Sequence, residues 1–225
     1  MKIKQIFTAI ALTLCILSAA VVFTLNFRPL YYMDIHYFNL PEKTGYPEEE
    51  IRENYDSLID YNSVFYQGSL EFPTLTMSEE GRIHFVEVKR IFVFIQAVLL
   101  PLSLIGSILG ILNQKKQKPV YLRLTSVLTL ALPAVLGALI AMNWDQFFIL
   151  FHKLFFNNDY WIFDADTDPI ILLLPDGFFM HCALMILALT TIASILCLVI
   201  YRKLSRRLKS IQTDINRPEK SAADL

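Results

Sequence analysis

Apolar positions along this chain gather into four long runs separated by acidic, basic or aromatic-polar stretches. The runs are Ile6 to Leu25, Ile91 to Leu112, Leu124 to Met142 and Phe178 to Tyr201. Each can cross a hydrocarbon core about 30 Å thick, which takes about 20 helical residues. Pro133 and Gly137 interrupt the third run, as membrane helices tolerate. The pattern predicts an all-α integral membrane protein with four transmembrane helices over 6–27, 91–112, 124–142 and 178–201. Two long segments, 28–90 and 143–177, then share one side, and a short loop, 113–123, shares the other with the tail 202–225.

The first run opens on Met1-Lys2-Ile3-Lys4 and contains Ser18-Ala19-Ala20, so a cleaved signal peptide is the competing reading. A signal core is about 7–15 residues, and this run continues through Val21-Val22-Phe23, which favours an uncleaved helix. Cys15 follows Leu14, not a small residue, and does not fit a lipoprotein acylation site.

Composition agrees with a lipid solvent: 55 % of residues are hydrophobic and the mean hydropathy is +0.46. Cys15, Cys182 and Cys197 all lie in apolar runs, so a disulfide framework is not expected. The net charge of −1 conceals a strong asymmetry. With the N-terminus inside, the inner side holds thirteen Lys and Arg against three acids, and the outer side seven against eighteen. That is +10 inside and −11 outside, which sets the orientation with both termini cytoplasmic. The basic tail after Tyr201 then anchors topology against anionic headgroups.

The segment 28–90 is too long for a bare loop and predicts a small folded cap. Pro47-Glu48-Glu49-Glu50 starts a helix on which Ile51, Tyr55, Leu58 and Ile59 recur at helical spacing. Thr76-Met77-Ser78-Glu79 has capping-box spacing, and a helix begun there runs into the second span with Gly81 as a weak point. His84 lies on it, about two turns before the apolar run, with Glu87 on the same face. Two readings stand: an interfacial histidine paired for solubility, or an imidazole whose basicity and tautomer a carboxylate sets. His36 has no recognisable partner.

The segment 143–177 opens with Trp144 to Phe156, too polar to span and too aromatic to float, which predicts an amphipathic helix in the membrane interface. Asp145 and His152 share one face two turns apart. Asp164, Asp166 and Asp168 alternate as calcium ligands do, but Pro169 and Pro175 stand where an EF-hand has glycine and glutamate, so a network of Asx turns is expected instead. Ile170 to Leu174, between two prolines, reads as a strand or a membrane-dipping stretch. His181, one turn into the fourth span, is placed to join an outer-face site. There is no CxxC, HExxH, Walker loop or GxSxG, and no basic aromatic patch for nucleic acid.

Phe151-His152-Lys153-Leu154-Phe155-Phe156, Asn158-Asp159, Trp161, Phe163-Asp164, Asp166-Thr167-Asp168-Pro169 and Leu174-Pro175-Asp176 together resemble the signature of the lipoprotein intramolecular transacylases (Lit). His84-Phe85-Val86-Glu87-Val88-Lys89 does too, and the likeness covers most of the chain. It departs from the family's pattern at Phe85, Glu87, Ala165 and Asp176, where methionine, aspartate, proline and glutamate are usual. The resemblance implies an acyltransferase of the bacterial cytoplasmic membrane with its active site on the extracytoplasmic face. Its substrate would be a lipoprotein with a diacylglyceryl-modified N-terminal cysteine and a free α-amine, met among membrane phospholipids. One acyl chain would move from the middle glycerol carbon to that amine, with no cofactor or metal and no nucleic acid partner. His84 and His152 are the expected catalytic pair, supported by Glu87, Asp145, Trp161, Asp164 and Asp168. In the simplest assignment His84, oriented by Glu87, takes the amine proton and His152 serves the carbonyl oxygen or the leaving alkoxide. The competing function classes are a non-catalytic scaffold binding lipid or a partner through its cap, a metal-dependent hydrolase using Asp164 to Asp168, and, least supported, a transporter. The oligomeric state is not encoded in the pattern.

Overall fold

The computed structural model describes residues 2–114 and 117–215. Every regular element is helical: α1 (Ile3–Asn26), α2 (Arg28–Tyr37), α3 (Leu40–Thr44), α4 (Glu48–Tyr61), α5 (Glu79–Phe94), a π-helical turn (Ile95–Leu99), α6 (Leu100–Leu112), α7 (Val120–Met142), α8 (Trp144–Phe155), α9 (Ile170–Leu173) and α10 (Asp176–Ile215). Among the described residues, four helical stretches are long and apolar enough to span a membrane: Ile3–Asn26, Glu79–Leu112, Val120–Leu139 and Asp176–Ile211. The basic tail is helical as far as Ile215, as a continuation of α10, and Lys115, Lys116 and positions 216–225 lie outside the described residues.

The bundle is packed inside-out relative to a soluble protein. α1 lies against α6, α7 and α10, and α7 against α10. The buried positions between them are mostly small and polar, including Thr13, Ser18, Ser103, Ser107, Thr125, Thr129, Thr190 and Ser194. Leu102, Leu104, Ile105, Ile108 and Leu109 face outward. Lipid already solvates the leucines, so helices associate through close approach and short polar contacts. Gly110 meets Thr8 of α1, and the Ser126 and Ser194 hydroxyls stand 3.0 Å apart across α7 and α10.

The cap has a conventional core. Ile51, Tyr55, Leu58 and Ile59 of α4 are buried as their spacing requires, against Tyr31 and Ile35 of α2 and Ile170 and Leu173 of α9. Burying such side chains contributes about 1.5–3 kcal/mol each. Tyr31 stacks on Tyr55 with centroids 3.7 Å apart and donates to the Leu173 carbonyl at 2.7 Å. The stretch Ile170 to Leu174 is therefore not a strand: Ile170–Leu173 is a helical turn whose Ile170 and Leu173 sink into the cap core while Leu172 stays exposed.

The second span begins within the cap and continues without a break. Ser78, not Thr76, caps α5: its hydroxyl accepts from Gly81 N–H at 2.9 Å, while Thr76 donates to the Thr167 carbonyl at 3.2 Å. Nor is Gly81 a weak point. A Cβ there would stand 2.2 Å from Asp168 Oδ1, so glycine is what lets that carboxylate reach the helix start. Pro101 removes an N–H and crowds the carbonyl four residues back, and the π turn absorbs the misfit. Gln96 in that turn donates to the Asn62 carbonyl at 2.9 Å, tying the span to the cap.

Candidate active site

Two helices from distant parts of the chain bring His84 and His152 together where cap and bundle meet. α5 carries His84, and the acidic first turn of α5 is pinned from the other side by Asp168, whose Oδ1 accepts from Ser78 N–H at 2.8 Å and Oδ2 from the Thr167 hydroxyl at 2.8 Å. A carboxylate at a helix N-terminus is favoured by the helix dipole as well as by the hydrogen bond. α8 carries His152. Asn143 caps α8 by accepting from Gln146 N–H at 2.9 Å, and Ile149, Leu150, Phe151, Leu154 and Phe155 point outward as a lipid-facing surface. His152 occupies the opposite, buried side.

The two imidazoles are 6 % and 9 % exposed, with ring centroids 6.0 Å apart. Aromatic rings wall them in. His84 meets the edges of Phe156 at 4.8 Å and Phe163 at 5.5 Å. His152 lies between Phe148 at 4.2 Å and Trp161 at 4.6 Å, the latter nearly parallel at 26°. Burial pushes the His84 pKa down to about 4, with the neighbouring His152 adding to the effect. Burial lowers His152 as well, opposed by its bond to the Phe148 carbonyl. Both rings are therefore neutral at pH 7.

The tautomer of His152 follows from its partner. Its Nδ1 lies 2.8 Å from the Phe148 carbonyl oxygen, which can only accept. Nδ1 therefore carries the proton and Nε2 holds a free lone pair. His84 Nδ1 and Trp161 Nε1 are both buried with no hydrogen-bond partner among the described residues. Unpaired buried polar atoms cost about 1–3 kcal/mol each, and one on His84 together with one on the ring stacked on His152 marks a place where a ligand completes the bonding.

The family is settled by comparison. A family model described as lipoprotein intramolecular transacylase Lit matches residues 6–179. The chain belongs to the lipoprotein intramolecular transacylase family. The in meso structure of the membrane-integral Lit from Bacillus cereus superposes with a TM-score of 0.87 at 40 % identity, over 92 % of this chain and 96 % of that one. Two structures of the same Bacillus cereus protein with a single histidine replaced, by arginine or by alanine, superpose at 0.82, with 40 % and 41 % identity, over 92 % of this chain and 92 % and 94 % of theirs. No curated protein sequence matches the chain. The chain is thus a membrane-integral acyltransferase of the Lit family, as its two sequence blocks suggested.

Against the residues expected from sequence, this Lit-family fold brings His84, His152 and Trp161 together and uses Asp168 to hold α5. Glu87 does not orient His84: its two carboxylate oxygens accept from Asn158 Nδ2 at 3.1 and 3.2 Å, because the loop after α8 offers an amide donor while the His84 ring packs among Phe156 and Phe163. Asp145 stays exposed in the first turn of α8, away from the buried ring two turns on. Asp164 builds the expected Asx turn, accepting from Asp166 N–H at 3.0 Å. His181 does not join the site either: α10 turns it toward α2, where it pairs with Asp34 at 2.7 Å. His36 has a partner, Glu48 at 3.5 Å. Sequence reasoning missed the Phe148 carbonyl, since a backbone acceptor has no letter of its own, and Phe156, Phe163 and Asn158, which stand in the matching block but carry no chemistry to flag them.

Proposed function

We propose that this enzyme moves one acyl chain from the middle glycerol carbon of a diacylglyceryl-modified N-terminal cysteine to the α-amine of the same residue, giving an N-acylated lyso-lipoprotein. The observation that carries the reading is the pair of neutral histidines in an aromatic enclosure at the junction of cap and bundle, one with a fixed lone pair. Charge asymmetry supports placing that junction at the outer face of the cytoplasmic membrane, with both termini inside.

The amine nitrogen attacks the ester carbonyl carbon, a C–N bond forms, and the C–O bond to glycerol breaks. His152 Nε2 takes the proton that the amine must lose, and the Phe148 carbonyl steadies the resulting imidazolium through Nδ1–H. The same proton then passes to the departing glycerol oxygen, so the reaction is an isomerisation and consumes no other reagent. His84 is the better electrophile: its lowered pKa keeps it neutral, and a neutral N–H on its ring can donate to the developing oxyanion. This reverses the assignment that pairing with Glu87 suggested. Proximity does the rest, because ester and amine belong to one molecule and the rings restrict its conformations.

The test is mass spectrometry of a lipoprotein's N-terminal lipopeptide after incubation with the purified protein in detergent. Total mass is conserved, so the readout is the fragment spectrum: an acyl group on the amine and a lyso-glycerol. An amine that stays free under conditions in which the Bacillus cereus protein transfers would leave a binding role instead.

The pH dependence has a definite form. An α-amine titrates near 7.7–8.0, and only its neutral form attacks. Burial depresses both histidines, His84 to about 4 and His152 below the ordinary imidazole value, so neither takes up its proton at the pH where a free imidazole would. The kcat/KM profile should therefore fall about tenfold per pH unit from about 8 to about 6.5, with one slope. A second break near 6.5, steepening the fall to a hundredfold per unit, would mean that a histidine with an ordinary pKa is the base.

A further inference from the structure

The end of the bundle farthest from the histidines carries chemistry that acyl transfer does not use. Gln5, Thr8 and Gln114 are all buried there. Gln5 donates to the Lys118 carbonyl at 3.3 Å and accepts from Tyr121 N–H at 2.8 Å. Gln114 Nε2 donates to the Thr8 hydroxyl at 2.7 Å and to the Gly110 carbonyl at 2.9 Å, stitching α6 to α1. Its Oε1 is buried, with no partner among the described residues.

Two cavities of about 340 Å³ each flank this polar knot, and Gln117 lies on the wall of both. Gln114, Tyr121, Leu204 and Arg207 line one; Lys2 and Lys118 line the other. Arg207 at the end of α10 thus shares one cavity with the unpaired acceptor, Lys2 at the start of α1 and Lys118 in the turn before α7 share the other, and Gln117 stands between the two. No acid lines either cavity. Arg207 is six residues beyond Tyr201, about 9 Å along the helix axis, which is the depth of the headgroup layer once the side chain's own reach is included.

We propose that this end of the bundle is a binding site for an anionic phospholipid of the inner leaflet. The headgroup lies across the two cavities past Gln117: its phosphate sits between Lys2 and Lys118, and a hydroxyl of a glycerol-type headgroup donates to Gln114 Oε1 on the side of Arg207. A plain topology anchor requires the charges but neither the cavities nor the unpaired amide oxygen. The proposal rests on the chain's membrane insertion and on the orientation its charges set, not on the acyl-transfer chemistry.

The experiment is native mass spectrometry of the full-length protein in detergent, titrated separately with phosphatidylglycerol, phosphatidylcholine and inorganic phosphate, beside the variant Lys118→Gln/Arg207→Gln. Wild type should retain phosphatidylglycerol in preference to phosphatidylcholine. The double variant should bind phosphatidylglycerol about 25-fold more weakly, about fivefold for each cation removed near a charged surface. Its thermal unfolding in lipid-free detergent should stay close to wild type, since Arg207 and Lys118 are both exposed and the Lys118 Nζ stands 6.0 Å from the Tyr201 ring. Equal retention of the two lipids, or equal binding by the double variant, overturns the proposal. Displacement of phosphatidylglycerol by millimolar inorganic phosphate also overturns it, because the site would then recognise a free anion rather than a lipid.

Discussion

Replacing His152 by glutamine should lower kcat for acyl transfer by about 10²–10⁴-fold while leaving KM nearly unchanged. Glutamine keeps the bulk and can still donate to the Phe148 carbonyl, but it has no basic lone pair at the position of Nε2. The matching change at His84 separates the two roles. His84→Gln retains an N–H donor and should lose less activity than His152→Gln. His84→Ala removes the donor and should cost about 10²–10³-fold, the usual range for an oxyanion contact. Single-turnover rates on the lipopeptide, with folding checked by thermal unfolding in detergent, give the comparison. If His84→Gln proves the more damaging of the two glutamine variants, His84 is the base and the tautomer argument has assigned the wrong ring. Full activity in a folded His84→Gln and a folded His152→Gln would remove both histidines from the chemistry.

The second large effect is one of stability. Asp168 is 2 % exposed, and its carboxylate holds Ser78 N–H at the start of α5 and the hydroxyl of its neighbour Thr167. Hydrogen bonds to a charged group contribute about 1.5–3 kcal/mol, and a carboxylate at a helix N-terminus adds about 0.3–1 kcal/mol. Asp168→Ala should therefore cost about 2–4 kcal/mol and leave the α5 start without its outer partner. Gly81→Ala should reach a similar end from the other side, because its methyl would displace the carboxylate and press on Phe163, at about 1–3 kcal/mol for overpacking. Phe163 touches His84, so both variants should also lose activity in proportion to the disturbance. Thermal unfolding in detergent reads the stability, and an Asp168→Ala protein that melts with wild type would show that the contact contributes nothing net.

The two effects are linked through one construction. The loop from Asn157 to Pro169 supplies the ring stacked on His152, the ring against His84, the amide on Glu87 and the carboxylate on α5. A single short segment thereby ties α5 to α8 at the two histidines, and Phe163 adds it to the cap core.

How much of this was legible in the sequence depends on the range of the interaction involved. Spans, cap and interfacial helix were readable because hydropathy over about 20 residues and helical periodicity over about ten are local properties that lipid and water enforce directly. The site residues His84, His152, Trp161 and Asp168 stood out by type and by the family's two blocks. Their partners did not. Whether Glu87 turns to His84 or to Asn158, whether His181 faces His152 or Asp34, and whether Gly81 weakens a helix or admits a carboxylate are all decided by contacts between residues far apart in the chain. The tautomer of His152 is the sharpest case: it hangs on the direction of one backbone carbonyl, which only the packed helix determines. The sequence by itself determined which segments enter lipid and which residue types could do acyl transfer; the tertiary structure decided which atom holds the lone pair, because protonation follows partners and burial, not letters.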